Sequence, residues 1–468
     1  MLAIITFSVN AIANFALGLG VAWFLGAEQF GVYALIVAGG AVLQTLLFEW
    51  LRLSANRFFG KRQAEADPNL YTTLSLGTGV LSIALSVLAI VLYITDGAFG
   101  VAATVAALAP LTGMAGGLFD FRCAIARAQF DNRRYAMMVI AKNLLALLLM
   151  IGGAFWLKRA DVVVAGLCVS SVAGALVTAR AFREGHAPGR FDRLLVRQFA
   201  IYAGPMIVSS LIYQLNMFMT RSGVAFHYGL AESGRYSLAL DIGLKLTTTV
   251  GSALDILLFQ LAVRAESEES REAATAQLSR NLLIVTGILA PACVGYWLIL
   301  PSFEALFVAE SYRAAFDAYT LYLLPGLFAV SLVFYAINPQ FQIARKTWPM
   351  LLAALANIAV AAAVLYLWPG TDGRHGALAT SSGFVVGGLL MVVIAWRTAP
   401  IDVPWLDLGK VVAATALMSA AALPARALEP GAFTLTLTAL AGGAAYGLLA
   451  LALNIGGLRT LLIARLRR

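Results

Sequence analysis

Charged residues are scarce in this chain of 468 residues, at 12% against about 25% in a soluble domain. That scarcity excludes a water-soluble globule, because so little charge cannot coat a hydrated surface. Histidine and cysteine are scarcer still, with three of each. His186, His227 and His375 fall singly in predicted loops. Cys123, Cys168 and Cys293 lie in or beside apolar runs without metal-like spacing, so they read as small packing residues. No His/Cys cluster, nucleophile–base set or phosphate-cradling glycine loop occurs, and no cofactor or metal is called for. A basic n-region is also missing before the first apolar run, which is long enough to be a first membrane span rather than a signal peptide; whether the start lies upstream stays open.

What is present in quantity is apolar sequence, 61% of the chain, arranged in repeated runs of about 20 residues, the length that crosses a bilayer. Runs such as 144–156 and 411–423 lack the alternation of barrel strands, and backbone in lipid must bond internally, so the spans are helical. Apolar runs set against charged punctuation give about fourteen transmembrane helices, near 2–25, 31–51, 70–94, 99–120, 136–157, 161–181, 199–222, 236–259, 281–300, 317–337, 348–368, 376–396, 409–428 and 432–456.

Alternate loops differ sharply in charge. One side carries 24 Lys and Arg, among them Arg52, Arg57, Lys61, Arg62, Arg122, Arg127, Arg180, Arg183, Arg264, Arg345 and the tail residues Arg459, Arg465, Arg467 and Arg468. The other side carries seven: Lys158, Arg159, Arg221, Arg235, Arg313, Arg374 and Arg426. The positive-inside rule makes the richer side, with both termini, cytoplasmic. The net charge of +9 then reflects topology and an affinity for anionic headgroups, not nucleic acid.

A ten-residue pattern occurs twice. Leu25-Gly26-Ala-Glu-Gln-Phe-Gly31-Val-Tyr33-Ala-Leu35 matches Tyr228-Gly229-Leu-Ala-Glu-Ser-Gly234-Arg-Tyr236-Ser-Leu238 at one offset of 203 residues. Both copies are expected as short outward loops. An offset of six spans implies a duplication in which both halves keep the same orientation, related by a pseudo-two-fold axis along the membrane normal. The fold predicted is an all-α integral membrane protein: a six-helix lobe at 1–198, a parallel six-helix lobe at 199–400, and two extra helices with a basic tail at 401–468. Lys142-Asn143 in span 5 is echoed by Ala356-Asn357 in span 11. The longest cytoplasmic loop, 261–280, reads as a charged helical extension of its neighbours.

The Leu25-Gly26…Phe30-Gly31-Val-Tyr33-Ala34 stretch, with Arg52…Arg57-Phe58 after it, resembles the Wzx-type polysaccharide flippases of the multidrug/oligosaccharidyl-lipid/polysaccharide exporter superfamily. The second Gly…Tyr copy, Asn338-Pro-Gln-Phe-Gln-Ile-Ala-Arg-Lys346 and Gly376-Ala-Leu-Ala-Thr380 are similar to that family as well. The resemblance implies two six-helix lobes around a central cavity, alternating access, and a polyprenyl-diphosphate-linked oligosaccharide carried from the cytoplasmic to the outer leaflet of a bacterial inner membrane. It also implies H⁺ or Na⁺ as coupling ion and polysaccharide polymerase machinery as a partner. Span 7 departs from the family pattern in carrying Asn216 where Asp is usual.

Charges at membrane depth are costly and mark function. Lys245 lies about 13 Å inside span 8, with Asp241 one turn before it in the favourable acid-first order, a substrate cation beside a coupling or partner carboxylate. Lys142 lies about 9 Å inside span 5. Arg52 and Arg57 end span 2, where guanidinium groups could capture a diphosphate, and Arg221 sits at the outer end of span 7. Asn10 and Asn14 share a face of span 1, and Asn216 occupies the equivalent span 7. Each has a plain structural alternative in headgroup anchoring or helix–helix bonding. Asp120, Asp255 and Glu304 lie near span ends and are given no role. Gly113…Gly117 and Gly383…Gly387 are expected to serve close helix packing. A drug exporter and a peptidoglycan-precursor flippase of the same superfamily remain open. A membrane polymerase or ligase would need a sizeable outer loop, and the largest, 301–316, offers only Glu304, Glu310 and Arg313.

Overall fold

The computed structural model describes residues 2–59, 67–95, 103–178, 189–344, 346, 348–368 and 370–460. Lys61, Arg62, Arg180, Arg183, His186, Arg345, Arg465, Arg467 and Arg468 lie outside them. Among the described residues the chain is all helix with no strand. Its elements are α1 (Leu2–Phe58), α2 (Pro68–Ile94), α3 (Ala103–Ala128), α4 (Asn132–Trp156), α5 (Ala160–Leu176) and α6 (Arg193–Tyr228). There follow α7 (Leu230–Glu268), α8 (Arg271–Phe307), and α9 (Glu310–Leu332), which runs on through a π turn to Ile343. The last four are α10 (Trp348–Leu367), α11 (Arg374–Thr398), α12 (Trp405–Arg426) and α13 (Ala432–Ala452).

Each of the fourteen apolar runs is helical over most of its described residues, with turns at the ends of some, and the first two are merged into α1. Among the described residues, ten helices can cross a membrane by length and composition, or eleven with α6, which bends by 57°; α5 is a shorter apolar helix. Helix starts follow local chemistry. Asp67, Asp131, Asp192 and Ser270 each accept a hydrogen bond from a first-turn amide of α2, α4, α6 and α8, satisfying a donor the helix leaves open. Ile83, Ile90 and Ile94 on α2 and Leu440 and Leu448 on α13 are exposed, as a lipid-facing surface requires.

The two copies of the repeat are not loops. Inside α1 the helix breaks at one residue, Gly26, at φ 74°, ψ 167°; α6 gives way to α7 at one residue, Gly229, at φ 90°, ψ 166°. Only glycine enters that region readily, so one residue does the work of a loop and the next helix begins at once. The repeat is thus a duplicated backbone conformation as well as a duplicated sequence.

By packing, the chain forms two compact units, Met1–Ser237 and Leu238–Arg468. In the first, α6 and the second copy of the repeat lie against α1. A methyl group on Gly31 would overlap the Leu230 carbonyl oxygen and come 3.1 Å from the Gly234 nitrogen; one on Gly234 would overlap the Ala27 carbonyl oxygen and come 2.9 Å from the Gly31 nitrogen. Ala27 and Leu230 are themselves equivalent at the 203-residue offset. The two helix starts therefore meet through a reciprocal contact with local two-fold character. Tyr236 is buried beside it, its hydroxyl 3.1 Å from Thr220 Oγ1.

The GxxxG stripes pack as expected. Gly113, Gly116 and Gly117 of α3 lie against Gly40, Gln44 and Phe48 of α1, and Gly383 and Gly387 of α11 against Asn357 and Ala353 of α10. Beside the first stripe lies the apolar core of the first unit, including Phe48, Leu51, Phe59, Phe121, Met138 and Phe199. In the second unit, Leu258, Val285, Leu289 and Ala336 form one core cluster. Leu298 with Met418 and Ala422 fixes α12 onto α8, and Tyr446 of α13 donates to the Gly287 carbonyl at 2.6 Å. Ser270 separates α7 from α8, so the 261–280 stretch is helical extension as expected, with an exposed Arg264–Glu268 pair. His375 differs from its sequence reading. It is buried in the first turn of α11, with Nε2 2.6 Å from the Val364 carbonyl oxygen near the end of α10.

Candidate functional site

The small residues that bring α3 onto α1 also bring polar groups together below the point of contact. Asp120 lies one turn beyond Gly116 on the same face, and Gln44 of α1 donates through Nε2 to Asp120 Oδ2 at 2.8 Å. One turn further along α1, Glu49 holds Arg52, with the Arg52 Nε 2.8 Å from Glu49 Oε2 and a second bond from Nη2 to Oε1. Lys142 comes from α4.

Lys142 is half-buried, and its Nζ lies 4.8 Å from the centroid of the buried Phe119 ring. Among the described residues it has no carboxylate within 4.0 Å. The ammonium rests on an aromatic face, an attraction of about 0.5–2 kcal/mol that leaves its charge unneutralised. Close packing surrounds this geometry: a methyl group on Gly174 of α5 would come 2.9 Å from the Lys142 Cβ and 3.1 Å from the Phe119 ring, so the glycine lets the three helices approach. Beside Lys142, Asn143 is buried and donates to Asn10 Oδ1 at 3.0 Å, and Asn14 donates to the same oxygen at 3.0 Å. The Asn143 Oδ1 is buried without a hydrogen-bond partner.

Of the residues singled out from sequence, Arg52, Lys142 and Asn14 thus belong to one polar track across α1, α3 and α4. Arg57 is exposed in the last turn of α1. Arg221 is buried; its Nη1 lies 3.5 Å from the Ala34 carbonyl oxygen and its own carbonyl accepts from Ser233 Oγ at 2.9 Å. Those contacts tie α6 to α1 and to the start of α7. Asn216 is fully buried in α6. Asp241 and Lys245 are half-buried one turn apart on α7; Lys245 falls in the second unit by packing, and Asp241 with it.

Sequence reasoning left out Asp120, Gln44 and Phe119. A signal existed: Asp120 follows Gly113, Gly116 and Gly117 at helical spacing, on the face those glycines open. Set apart from its neighbours, however, it reads as a span-end carboxylate within reach of water.

No protein-family model matches the sequence, and none of the curated proteins matches it. Solved structures do match the fold. The lipid II flippase MurJ, in an inward closed conformation, superposes with a TM-score of 0.72 at 14% identity, covering 98% of this chain and 100% of that one. An inward-facing multidrug resistance MATE family transporter of the MOP superfamily gives 0.63 at 17% identity, covering 84% and 97%. A Vibrio cholerae MATE transporter gives 0.52 at 14%, covering 85% and 97%. The chain therefore has the all-helical fold of the MOP-superfamily transporters.

Proposed function

We propose that the protein is a transporter that flips a polyprenyl-diphosphate-linked oligosaccharide from the cytoplasmic to the outer leaflet of a bacterial inner membrane by alternating access. The observation that carries this reading is Lys142, a half-buried ammonium within a membrane helix that rests on Phe119 and has no ion pair among the described residues. An uncompensated cation at that depth is costly unless a mobile anion completes it. The cargo's diphosphate is such an anion, and Arg52 supplies a guanidinium nearby. In the second unit, Lys245 offers a further cation and Asp241 a carboxylate suited to coupling by H⁺ or Na⁺. The product would be consumed by a polysaccharide polymerase at the outer face, and the protein itself does no bond chemistry in this scheme.

A second reading is favoured by one specific observation: superposition on a lipid II flippase spans nearly the whole chain, whereas the MATE matches leave about a sixth uncovered. Lipid II is also a polyprenyl-diphosphate glycan, so the same cations would serve. One experiment addresses both. Proteoliposomes are given a labelled polyprenyl-diphosphate oligosaccharide or labelled lipid II, and exposure in the opposite leaflet is measured. Transport of the oligosaccharide lipid, reduced at least tenfold by Lys142→Gln, supports the first reading. Transport of lipid II alone selects the second, and transport of neither overturns both.

A further inference from the structure

Arg426 is a cation with no part in the proposed transport. It ends α12, whose 22 residues reach about 33 Å at about 1.5 Å each, close to the thickness of a bilayer core. Both ends of the helix therefore lie at headgroup level. At the start, exposed Trp405 marks the interface, and Lys410 is neutralised by Asp407 at 2.6 Å. At the other end, no carboxylate comes within 4.0 Å of Arg426 among the described residues. Arg426 continues the i, i+4 series of Met418 and Ala422, the stripe that packs on α8. That register brings its guanidinium over the Trp297 ring, 4.0 Å from the centroid. The stack covers one face of the group but supplies no hydrogen-bond acceptor. Nη1 is enclosed without a hydrogen-bond partner, while the residue as a whole is half-buried and open to the surface. A partly desolvated guanidinium short of acceptors is costly unless an anion completes it.

We propose that Arg426, stacked on Trp297, binds the phosphate of an anionic phospholipid at the end of α12. The surface leading to it fits such a ligand. Val412, Ala416, Ala420 and Leu423 are all exposed and, spaced by four, four and three residues, form one apolar stripe that ends at Arg426. An acyl chain lies along that stripe while the phosphate meets the planar fork of the guanidinium. A free phosphate carries the same charge but has nothing to place on the stripe. The bound lipid holds α12, and through Trp297 also α8, at a fixed depth in the bilayer, whatever the cargo is.

The test follows thermal unfolding of the full chain in a neutral detergent during titration with short-chain phosphatidylglycerol. Short-chain diacylglycerol, inorganic phosphate and a polyprenyl diphosphate are titrated in parallel. A ligand of the folded state raises the midpoint, so the wild type should respond to phosphatidylglycerol and hardly to diacylglycerol or inorganic phosphate. A cation near the surface contributes about fivefold to affinity for an anionic lipid. Arg426→Gln should accordingly need about five times more phosphatidylglycerol, or more, for the same rise. Arg426→Lys, which keeps the charge and loses the planar stack, should fall between, and Lys410→Gln should match the wild type. If Arg426 only packs, Arg426→Gln lowers the lipid-free midpoint and leaves the response to phosphatidylglycerol unchanged, which overturns the proposal. No response in the wild type, an equal response to diacylglycerol or inorganic phosphate, or an equal loss in Lys410→Gln also overturns it. A response to the polyprenyl diphosphate alone overturns it in favour of a cargo site. Where Arg426→Gln does not fold, Arg426→Lys and Trp297→Phe decide the matter, and a wild-type response in both sinks the idea.

Discussion

At the scale of single residues, placement rather than type separates function from packing. Lys142 and Arg221 are both cations in apolar helices. Arg221 is buried with its Nη1 3.5 Å from the Ala34 backbone carbonyl, whereas the Lys142 ammonium rests on an aromatic face. Arg221→Ala is accordingly expected to lower thermal stability by about 2 kcal/mol or more, through lost packing and an orphaned carbonyl, with the stability loss accounting for any fall in transport. Lys142→Gln should leave the unfolding midpoint within a few degrees while reducing flux at least tenfold; a large stability loss with normal flux per folded molecule would reverse these assignments. Lys142 was legible from sequence because a lysine inside an apolar run stands out. Asp120 was not, since what distinguishes it is the hydrogen bond from Gln44 on another helix, 76 positions away.

At the scale of elements, the repeat supplies the sharpest expectations. Gly26→Ala and Gly229→Ala each force a side chain into a backbone region that L residues rarely adopt, at a cost of about 1–3 kcal/mol. Gly31→Ala and Gly234→Ala act differently, pushing a methyl group into the carbonyl oxygen across the reciprocal contact. All four should lower the midpoint of thermal unfolding in detergent. The contact makes a further demand: the two Gly31 and Gly234 effects must be strongly sub-additive in the double variant, because either methyl alone separates the same two backbones. Full additivity would mean the two helix starts do not meet. Fourteen helical runs were readable from apolar length alone. That the runs at Gly26 and Gly229 join through a single residue was not, because the polar composition of both stretches also fits a loop.

At the scale of the whole molecule, charge asymmetry predicts orientation. In a chain with its cysteines replaced by serine, Glu429→Cys is expected to react with a membrane-impermeant maleimide in intact cells, and Glu268→Cys only in inverted vesicles. Both positions are exposed on the protein, so the bilayer alone decides the outcome, and the opposite pattern would reverse the topology. The helices of 401–468 are joined to α8 by Leu298, Met418 and Ala422 and by the Tyr446 hydroxyl. Met418→Ala should cost about 2–5 kcal/mol if that seam is a true core, read as a lower unfolding midpoint.

The sequence by itself determined that this is a helical membrane protein, where its helices run and which loops carry positive charge. Those properties follow from the one-dimensional length and spacing of apolar and basic residues, which a bilayer reads directly. It also carried the duplication, because two glycines and a tyrosine recur at a constant offset. Tertiary structure alone decided which polar residues meet. Gln44 reaches Asp120 only because three glycines let α3 approach α1, and Lys142 meets Phe119 where Gly174 lets α5 pack closely on both. Backbone approach within a few ångströms is set by pairs of surfaces from separate helices, and no single stretch of sequence contains both members of a pair.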